Sequence, residues 1–384
     1  MEITDTIRYV GVDDLDIDLF ESQYVVPEGM SYNAYVIIDE KIALMDTCDQ
    51  RKGAEWWYNV QTLLQGRTPS YLVVHHMEPD HAGEIARAME AYPTLTLVAS
   101  AKAIAMLPQF FEGHDWSSRT LAVKEGDTLC LGTHTLHFVA APMVHWPEVM
   151  VSYESSEKVL FAADGFGKFG AIANETDDWA CEARRYYFNI VGKYGAPVQT
   201  LLKKAATLDI KTICPLHGPV LTGDLTPYLS LYDTWSSYRP EKEGVFIACA
   251  SIHGGTLKAA EVLADMLRQK GVLVELKDVC REDIHECVES AFEMSHTIFM
   301  ASSYDGGVFT PMYNLLHLLE MKSWQKRTVG LVENGSWAPT AARTMRGVLE
   351  GMKDITIVDP VVTIKSRLHK ADMPQLEALA DAML

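Results

Sequence analysis

Histidine and carboxylate side chains recur at the ends of predicted apolar strands in the first 220 residues. The strand Tyr71–Val74 runs directly into the segment 75–83, which reads HHMEPDHAG. The candidate metal ligands in such positions are His76, Glu78, Asp80, His81, His145, Asp164 and His217. Four imidazoles and three carboxylates are too many for one tetrahedral ion, whereas two ions that share one carboxylate fit the number. This mixture without thiolates suits iron or manganese, and also zinc.

His75 lies at the end of the same strand, but we expect it to have a structural role. A single histidine at a strand end more often satisfies a buried hydrogen bond than binds a metal. The other histidines gain their significance from occurring as a set with the carboxylates.

A second set of candidate residues follows predicted strands in the last 140 residues. The segment Ser251–Thr256 (SIHGGT) lies between a strand and a helix, where backbone N–H groups can cradle a phosphate. The spacing is not that of the dinucleotide fingerprint G-x-G-x-x-G. Taken alone, an ordinary Ser/Gly turn between a strand and a helix would have the same sequence.

Two further loops follow the third and fourth predicted strands of this region. They are Ser302–Gly307 and Glu333–Trp337, and their aromatic residues Tyr304 and Trp337 could flank the planar ring of a cofactor. Ligands of open α/β sheets bind at the carboxyl ends of the strands, so the three loops together predict a cofactor site. The candidate cofactor-binding residues are Ser251, Ile252, His253, Gly254, Gly255, Thr256, Ser302, Ser303, Tyr304, Asp305, Gly306, Gly307, Asn334, Gly335, Ser336 and Trp337.

The elements that must position these residues differ between the two halves of the chain. The first half is strand-rich with inserted helices, and it begins with a predicted hairpin of Tyr35–Ile38 and Ile42–Met45. A polar linker, residues 239–244, follows it. After the linker, five predicted strands alternate with five helices, which indicates a doubly wound parallel sheet. We therefore predict two domains, at residues 1–240 and 244–384.

Composition excludes several classes of function. The 384 residues carry 33 basic and 52 acidic side chains, a net charge of −19, which weighs against nucleic acid or an anionic membrane as partner. The seven scattered cysteines form no C-x-x-C motif, so a disulfide framework is not expected and a reducing cytoplasm fits best. We found no apolar run of membrane-spanning length and no secretory signal at the N-terminus.

The ligand pattern carries a resemblance to a known family. H-x-[EH]-x-D-H with a later His, Asp and His is similar to the metallo-β-lactamase-like fold, an αβ/βα sandwich. Hydrolases of that superfamily usually have a second histidine where this chain has Glu78. With Tyr32–Tyr35 (YNAY) and Glu182–Tyr187 (EARRYY), the sequence resembles the flavodiiron proteins, also called A-type flavoproteins. The resemblance covers nearly the whole chain and implies a flavodoxin-like second domain with strand order 2-1-3-4-5.

The resemblance also implies a set of functional roles. One iron would be held by His76, Glu78 and His145, the other by Asp80, His81 and His217, and Asp164 would bridge them. FMN would occupy the second domain, where His253 replaces an aromatic residue found in many members. The family reduces dioxygen to water or nitric oxide to nitrous oxide. Its electrons typically come from rubredoxin, and the members are head-to-tail homodimers or dimers of dimers.

Two other interpretations remain open at the level of sequence. One is a zinc-dependent hydrolase of the metallo-β-lactamase type with a flavodoxin-like appendage, against which Glu78 argues. The other is a flavin-based electron carrier or redox sensor with a degenerate metal site, against which the seven filled ligand positions argue. Analysis of bound metal and flavin discriminates between the three.

Overall fold

The computed structural model of the chain describes residues 2–175 and 178–384. Two compact units emerge from the packing of the chain. The first unit comprises Met1–Tyr187 and Ala196–Tyr232, and the second comprises Phe188–Gly195 and Asp233–Leu384. The domain boundary predicted between residues 240 and 244 stays a prediction, because this division describes packing and not independent folding.

The first unit is built mainly from short strands. In chain order they are β1 (Ile7–Tyr9), β2 (Val12–Asp14), β3 (Leu19–Phe20), β4 (Tyr24–Val25), β5 (Met30–Tyr32), β6 (Tyr35–Ile37), β7 (Ala43–Met45), β8 (Tyr71–Val73), β9 (Thr96–Ser100), β10 (Thr120–Val123), β11 (Thr128–Cys130), β12 (Thr135–Ala140), β13 (Met150–Glu154), β14 (Val159–Phe161), β15 (Thr212–Cys214) and β16 (Leu221–Thr222). Two six-stranded sheets have the orders β1-β6-β7-β8-β9-β10 and β11-β12-β13-β14-β15-β16. The predicted hairpin is confirmed as the antiparallel pair β6-β7.

The two sheets share one apolar core, as a sandwich requires. Val73 and Val98 of the first sheet pack with Phe138 and Phe161 of the second. Helices and turns connect the strands: α1 (Gly53–Leu64), α2 (Pro79–Ala82), α3 (Ile85–Ala91), α4 (Ala101–Phe110), α5 (Trp179–Tyr186), α6 (Gly195–Ala205) and α7 (Thr226–Ser236). Between α5 and α6 the chain winds as a π-helix (Tyr187–Val191) and then a 3₁₀ turn (Gly192–Tyr194), and nearly all of this segment belongs to the second unit. The predicted αβ/βα sandwich is therefore confirmed.

The second unit is an α/β sheet. Its strands are β17 (Lys242–Ala250), β18 (Val274–Asp278), β19 (Met294–Tyr304), β20 (Gly307–Val308), β21 (Arg327–Asn334), β22 (Ile355–Ile357) and β23 (Val362–Ile364). Its helices are α8 (Gly255–Gln269), α9 (Ile284–Glu293), α10 (Thr310–Met321), α11 (Ala341–Leu349) and α12 (Met373–Ala382). The parallel order β18-β17-β19-β21-β22 confirms the predicted order 2-1-3-4-5.

The sheet differs from the prediction in its number of strands. The predicted fifth strand is divided into β22 and β23, which both pair in parallel with β21. Pro360 lies between them, and its nitrogen has no hydrogen to donate to a ladder, which explains the interruption. A short antiparallel strand, β20, also folds back on β19.

The central strand is buried as the doubly wound arrangement requires. β17 is buried continuously from Val245 to Ala250, which is typical of a strand covered on both faces. Leu263 of α8 and Leu376 of α12 belong to the apolar cluster that contains Ile247 of this strand. Among the helices of the described residues, none is both long enough and apolar enough to cross a membrane.

Candidate functional site

The predicted metal ligands lie on loops that leave strands of both sheets of the first unit. His76 and Glu78 follow β8, and Asp80 and His81 lie on the four-residue helix α2, which begins at Pro79. Proline suits the first position of a helix because its fixed φ matches the helix and its nitrogen needs no partner. The remaining predicted ligands, which follow β12, β14 and β15, are His145, Asp164 and His217.

Four of these side chains form a first group, His76, Glu78, His145 and Asp164. The Oε2 atom of Glu78 lies 3.0 Å from the Nε2 atoms of both His76 and His145. The Oδ2 atom of Asp164 lies 3.2 Å from Nε2 of His76 and 3.5 Å from Nε2 of His145. Two imidazoles with two carboxylates are a ligand set of first-row transition metals.

The other three predicted ligands form a second group, Asp80, His81 and His217. The Oδ2 atom of Asp80 lies 3.3 Å from the Nε2 atoms of both histidines. The two Nε2 atoms are 3.0 Å apart, so the two imidazoles and the carboxylate point at one place. The second group thus offers two nitrogens and one oxygen to a metal ion.

Asp164 joins the two groups through its two different oxygens. Its Oδ2 atom faces the first group, whereas its Oδ1 atom lies 3.6 Å from Nε2 of His81 and 3.8 Å from Nε2 of His217. The side chain is 1% exposed. One carboxylate can therefore contact two cations at once, as the sequence analysis expected of the shared ligand.

Several polar atoms of the cluster have no hydrogen bond within the described chain. Both carboxylate oxygens of Asp80 and of Asp164, and the Nδ1 atom of His81, are buried in this way. Burying a carboxylate without a partner is costly, and buried charges are normally paired or coordinate metals. The donor set therefore fits two metal cations.

The pKa values of the cluster reflect its burial and its crowding. Burial would lower the pKa of His76, but the carboxylates of Asp164, Glu148 and Glu78 raise it well above the usual value. Burial, followed by the His217 and His76 imidazoles, lowers the pKa of His81 far below its usual value. Burial raises the pKa of Asp80 to about 6. His81 is consequently neutral at pH 7, which is the form that binds metals.

Groups behind the ligands orient two of the imidazoles. The Nδ1 atom of His217 lies 2.7 Å from the carbonyl oxygen of Ser31, which only accepts, so Nδ1 carries the proton and Nε2 is left for the cluster. The Nδ1 atom of His76 lies 2.9 Å from Oε1 of the buried Glu148. Glu148 is not among the predicted site residues, although this residue follows His145 in the same loop.

His75 does not belong to the cluster. Its Nδ1 atom lies 2.6 Å from Asp46 and its Nε2 atom 2.7 Å from the hydroxyl of Ser152. Both ring nitrogens are thus occupied within the protein, and the structural role expected for this residue is confirmed.

Aromatic rings and a small cavity adjoin the cluster. The ring of Trp146 lies edge-on to His76 at 5.0 Å between centroids, and Phe20 lies edge-on to His217 at 5.4 Å. Buried Tyr32 lies edge-on to both His81 and His217. A cavity of about 220 Å³ is lined by Leu19, Phe20, Glu21, Ser22, Asp49, Arg51, Glu78, Pro79 and Asp80, so two ligand carboxylates face it. A small molecule has access to the cluster from this side.

A larger cavity of about 1020 Å³ lies at the carboxyl ends of the parallel strands in the second unit. Of the predicted cofactor-binding residues, all but Gly307 line it. Gly307 instead pairs with Tyr304 in the β19-β20 hairpin, beside the cavity. The lining residues that the sequence analysis missed are Lys258, Ala338, Thr340, Ser366, Arg367 and Leu368. Three of them, Ser366 to Leu368, form a fourth loop, which follows β23.

Hydrogen bonds tie these loops together around Asn334. Its side-chain amide donates to the hydroxyl of Thr256 at 3.2 Å and to the carbonyl of Ser366 at 3.0 Å, and its oxygen accepts from the Ser366 N–H at 2.9 Å. The hydroxyl of Ser303 accepts from the N–H groups of Thr340 and Ala341 at 2.8 and 3.1 Å. Asn334 therefore positions the other loops, because the hydrogen bonds of its side-chain amide are made within the protein.

The first loop is shaped to receive an anion. Gly254 has a φ of +83°, which favours glycine, and precedes the first residue of α8. A Cβ atom added at Gly255 would lie 2.2 Å from the Ser366 carbonyl, so the two loops approach closely only because this residue is glycine. The N-terminus of a helix with glycines at its start is a favourable site for a phosphate.

Comparisons with known proteins place these features in context. The model of the "ODP family beta lactamase" matches residues 30–218. A solved structure of rubredoxin oxygen:oxidoreductase from Desulfovibrio gigas is similar over 100% of this chain and 97% of that chain, with a TM-score of 0.93 and 27% identity. The flavodiiron protein of Giardia intestinalis has the same fold, with a TM-score of 0.92 at 24% identity, over 100% and 95% of the two chains.

A curated relative adds a second named activity. The anaerobic nitric oxide reductase flavorubredoxin of Pectobacterium atrosepticum is 28% identical over 325 residues, which cover 81% of this chain. This chain spans 63% of that relative's length.

Proposed function

Since this chain belongs to the flavodiiron proteins, we propose that it is an oxidoreductase that reduces dioxygen to water, nitric oxide to nitrous oxide, or both. The observation that carries the proposal is the bridging position of Asp164, whose two oxygens face two separate groups of ligands. Two adjacent metal positions would let both metals act on one small molecule, and this arrangement of ligands offers two such positions.

The proposed roles follow the two groups. His76, Glu78 and His145 hold one iron, Asp80, His81 and His217 hold the other, and Asp164 contacts both. Three carboxylates and four imidazoles, with no thiolate among them, favour iron over metals that prefer soft sulfur ligands. The Glu78 carboxylate is a hard anionic ligand and strengthens this preference. Glu148 and the Ser31 carbonyl keep His76 and His217 oriented towards the centre.

FMN is the proposed ligand of the large cavity in the second unit. The N–H groups at the start of α8 suit its phosphate, and Tyr304 and Trp337 suit its ring system. Trp337 lines the cavity and is 92% exposed. Lys258 and Arg367 provide positive charge among lining residues that include only one carboxylate, that of Asp305.

The proposed roles of the irons, FMN and the chain follow from the number of electrons that each reaction needs. When bound, the two irons and FMN supply up to four electrons and a place for the gas, enough for one dioxygen or two nitric oxide molecules. The chain itself holds the ligands in buried positions and limits access to the small cavity beside Glu78 and Asp80. Its aromatic residues Trp146, Tyr32 and Phe20 fix the imidazoles from the side.

The zinc hydrolase interpretation is not favoured. Two solved structures with TM-scores of 0.93 and 0.92 are, by name, an oxidoreductase and a flavodiiron protein.

The partners and the setting of the protein are part of the proposal. We take rubredoxin as the electron donor, a gas as the substrate, and a head-to-tail homodimer or dimer of dimers as the assembly. No nucleic acid or membrane takes part, since the net charge is −19. A cytoplasmic location agrees with seven cysteines that form no disulfide within the described chain.

The proposal is tested by loading the protein with iron and FMN and quantifying both. Chemically reduced protein then receives dioxygen or nitric oxide in separate anaerobic experiments. We expect turnover of one or both gases, with loss of activity in Asp164→Asn. Two bound zinc ions with hydrolysis of a thioester or phosphodiester would support the alternative instead. Analytical ultracentrifugation tests the assembly, and a fully active monomer would contradict it.

A further inference from the structure

A third group of side chains that can hold a metal ion lies in the first unit, outside the cluster of seven ligands. Among the described residues it consists of His134, Glu154 and Glu157. We call it the hairpin cluster, because both glutamates belong to the β13-β14 hairpin. One ligand atom of each side chain lies within 4.8 Å of the other two. His134 and Glu154 are 3% and 0% exposed, whereas Glu157 is partly exposed, so an ion can enter from its side.

The hairpin cluster is separate from the seven ligands described above. His134 directly precedes β12, whereas His145 follows the other end of this strand. The strand has six residues, which span roughly 20 Å when extended. In the same way, Glu157 precedes β14 and Asp164 follows it. The two clusters therefore lie at opposite ends of these strands, and an ion in one does not contact the ligands of the other.

The Nδ1 atom of His134 is the strongest sign of a missing cation. This atom is buried and makes no hydrogen bond within the described chain, although Oε1 of Glu154 lies only 3.1 Å away. The two atoms are close but not aligned. Donor atoms bound to one zinc ion at about 2.0–2.2 Å lie roughly 3.0–3.5 Å apart and do not bond to each other. The same spacing occurs around Asp80, whose Oδ2 atom is 3.3 Å from two imidazole nitrogens.

The surrounding chain holds the three side chains in position. Both carboxylate oxygens of Glu154 accept N–H groups of the hairpin turn, at 2.7 and 2.8 Å. The backbone N–H of His134 donates to Asp39, in the turn between β6 and β7 of the other sheet, at 2.6 Å. Oε2 of Glu157 accepts from the hydroxyl of Thr4. The three ligands are thus ordered before any ion binds, which reduces the entropic cost of binding.

The charge of the hairpin cluster is not balanced by basic side chains. In the part of the chain that the structure describes, no lysine or arginine nitrogen lies within 4.0 Å of the Glu154 or Glu157 carboxylate. Buried carboxylates are normally paired with a cation or coordinate a metal. A divalent ion between the two carboxylates and the imidazole would supply the missing positive charge.

We propose that the hairpin cluster binds one zinc ion through Nδ1 of His134 and the carboxylates of Glu154 and Glu157, with water as the remaining ligand. Zinc accepts imidazole and carboxylate ligands together. The imidazole argues against calcium and magnesium, which prefer oxygen, and such a site binds manganese and ferrous iron more weakly than zinc. The ion joins the hairpin turn to the start of β12 and stabilises the folded chain. This proposal is independent of the proposed function.

The test uses the full-length protein loaded with iron and FMN. The main variant is Glu157→Gln, which removes one ligand charge at a partly exposed position and keeps the shape of the side chain. The matched control is Glu90→Gln, because Glu90 forms an exposed pair with His114 at 3.6 Å and belongs to no group of three among the described residues. A second pair, His134→Asn and its control His114→Asn, tests the imidazole.

Zinc affinity is measured by competition with a chromophoric chelator, and bound zinc and iron are counted by elemental mass spectrometry. Loss of a mere supporting group weakens metal affinity about 10- to 100-fold, so we expect at least about tenfold weaker zinc binding in Glu157→Gln and His134→Asn. Both controls should bind zinc like the original protein. Added zinc should raise the melting temperature of the original and the controls more than that of the two variants. Calcium should bind far more weakly than zinc.

The position of the ion is determined by anomalous X-ray scattering at the zinc edge. We expect a peak within about 2.0–2.2 Å of Nδ1 of His134 and of both carboxylates. A peak elsewhere, equal zinc affinity in Glu157→Gln and Glu90→Gln, or equal affinity for calcium and zinc would overturn the proposal. The result depends on the difference between each variant and its control, whatever metal the seven ligands hold. A failure of the proposed function is therefore distinguishable from a failure here.

Discussion

At the scale of single residues, the metal cluster depends on groups that are not themselves ligands. The seven predicted ligands follow from residue type and position at strand ends, and the structure brings all of them together. Their supporting partners Glu148 and Ser31 could not be identified this way. Glu148 lies 72 residues from His76, and the Ser31 carbonyl 186 residues from His217, so only folding brings them together. A backbone carbonyl, moreover, has no signature in the sequence.

Glu148→Gln should weaken the metal position that contains His76. The Glu148 carboxylate accepts from the Met77 N–H and lies against Nδ1 of His76, so its replacement removes the charge that favours this tautomer. Loss of such supporting groups typically weakens metal affinity about 10- to 100-fold. The measurement is iron retained after a chelator challenge. Glu90→Gln on the surface is the control, and equal retention in both variants would contradict the assigned role.

At the scale of elements, the flavin cavity depends on loops that must approach one another. The sequence predicted three of these loops because each follows a recognisable strand. The fourth, residues 366–368, escaped prediction because the fifth strand is interrupted near Pro360, and the loop follows its short second part, β23. Strands of two or three residues, such as β20, have too little alternation for a pattern to identify them.

A pair of glycine substitutions tests the close approach of these loops. Gly255→Ala places a Cβ atom 2.2 Å from the Ser366 carbonyl, so we expect loss of stability of roughly 1–3 kcal/mol and weaker FMN binding. Gly347 is exposed on α11, with no atom within 4 Å of an added Cβ. Gly347→Ala should therefore stabilise the protein by about 0.4–1 kcal/mol. Thermal unfolding measures the stability of both variants, and titration measures their FMN affinity. A Gly255→Ala variant with the stability and FMN affinity of the original protein would contradict the close approach of Gly255 to the Ser366 carbonyl.

Asn334→Ala should loosen the cavity without removing a group from FMN. The substitution breaks the hydrogen bonds to Thr256 and Ser366, each worth about 0.5–1.5 kcal/mol. We therefore expect FMN affinity to fall by roughly 10-fold or more, measured by quenching of flavin fluorescence. Asn59→Ala, in the first unit, breaks a single bond to Gly11 and should leave FMN affinity unchanged. An effect of equal size in both variants would argue against a specific role for Asn334.

At the scale of the whole molecule, charge is unevenly distributed along the chain, and four of the seven cysteines are buried. The negative charge is concentrated in residues 1–243, which carry 19 basic and 34 acidic side chains. The cysteines form no disulfide within the described chain, and Cys48, Cys214, Cys249 and Cys287 are buried. Composition could not predict which thiols are accessible, because accessibility depends on packing.

Thiol labelling tests the packing of the native protein. Burial raises the pKa of Cys287 to about 12, and it raises the pKa values of Cys48, Cys214 and Cys249 as well. These thiols stay protonated and shielded at pH 7, so iodoacetamide should modify them only after unfolding. Cys130 and Cys181 are exposed and should react first. Mass spectrometry identifies the labelled sites, and a Cys130→Ser/Cys181→Ser variant is the control. Rapid labelling of Cys214 in the native protein would contradict the burial of this residue.

The most direct measurement of the central claim is gas consumption by chemically reduced protein of known iron and FMN content, under strict anaerobiosis. Dioxygen and nitric oxide are supplied separately, and the original protein is compared with Asp164→Asn. We expect two iron ions per chain, turnover of at least one gas, and loss of both iron and turnover in the variant. Protein that holds two irons and FMN but consumes neither gas would contradict it.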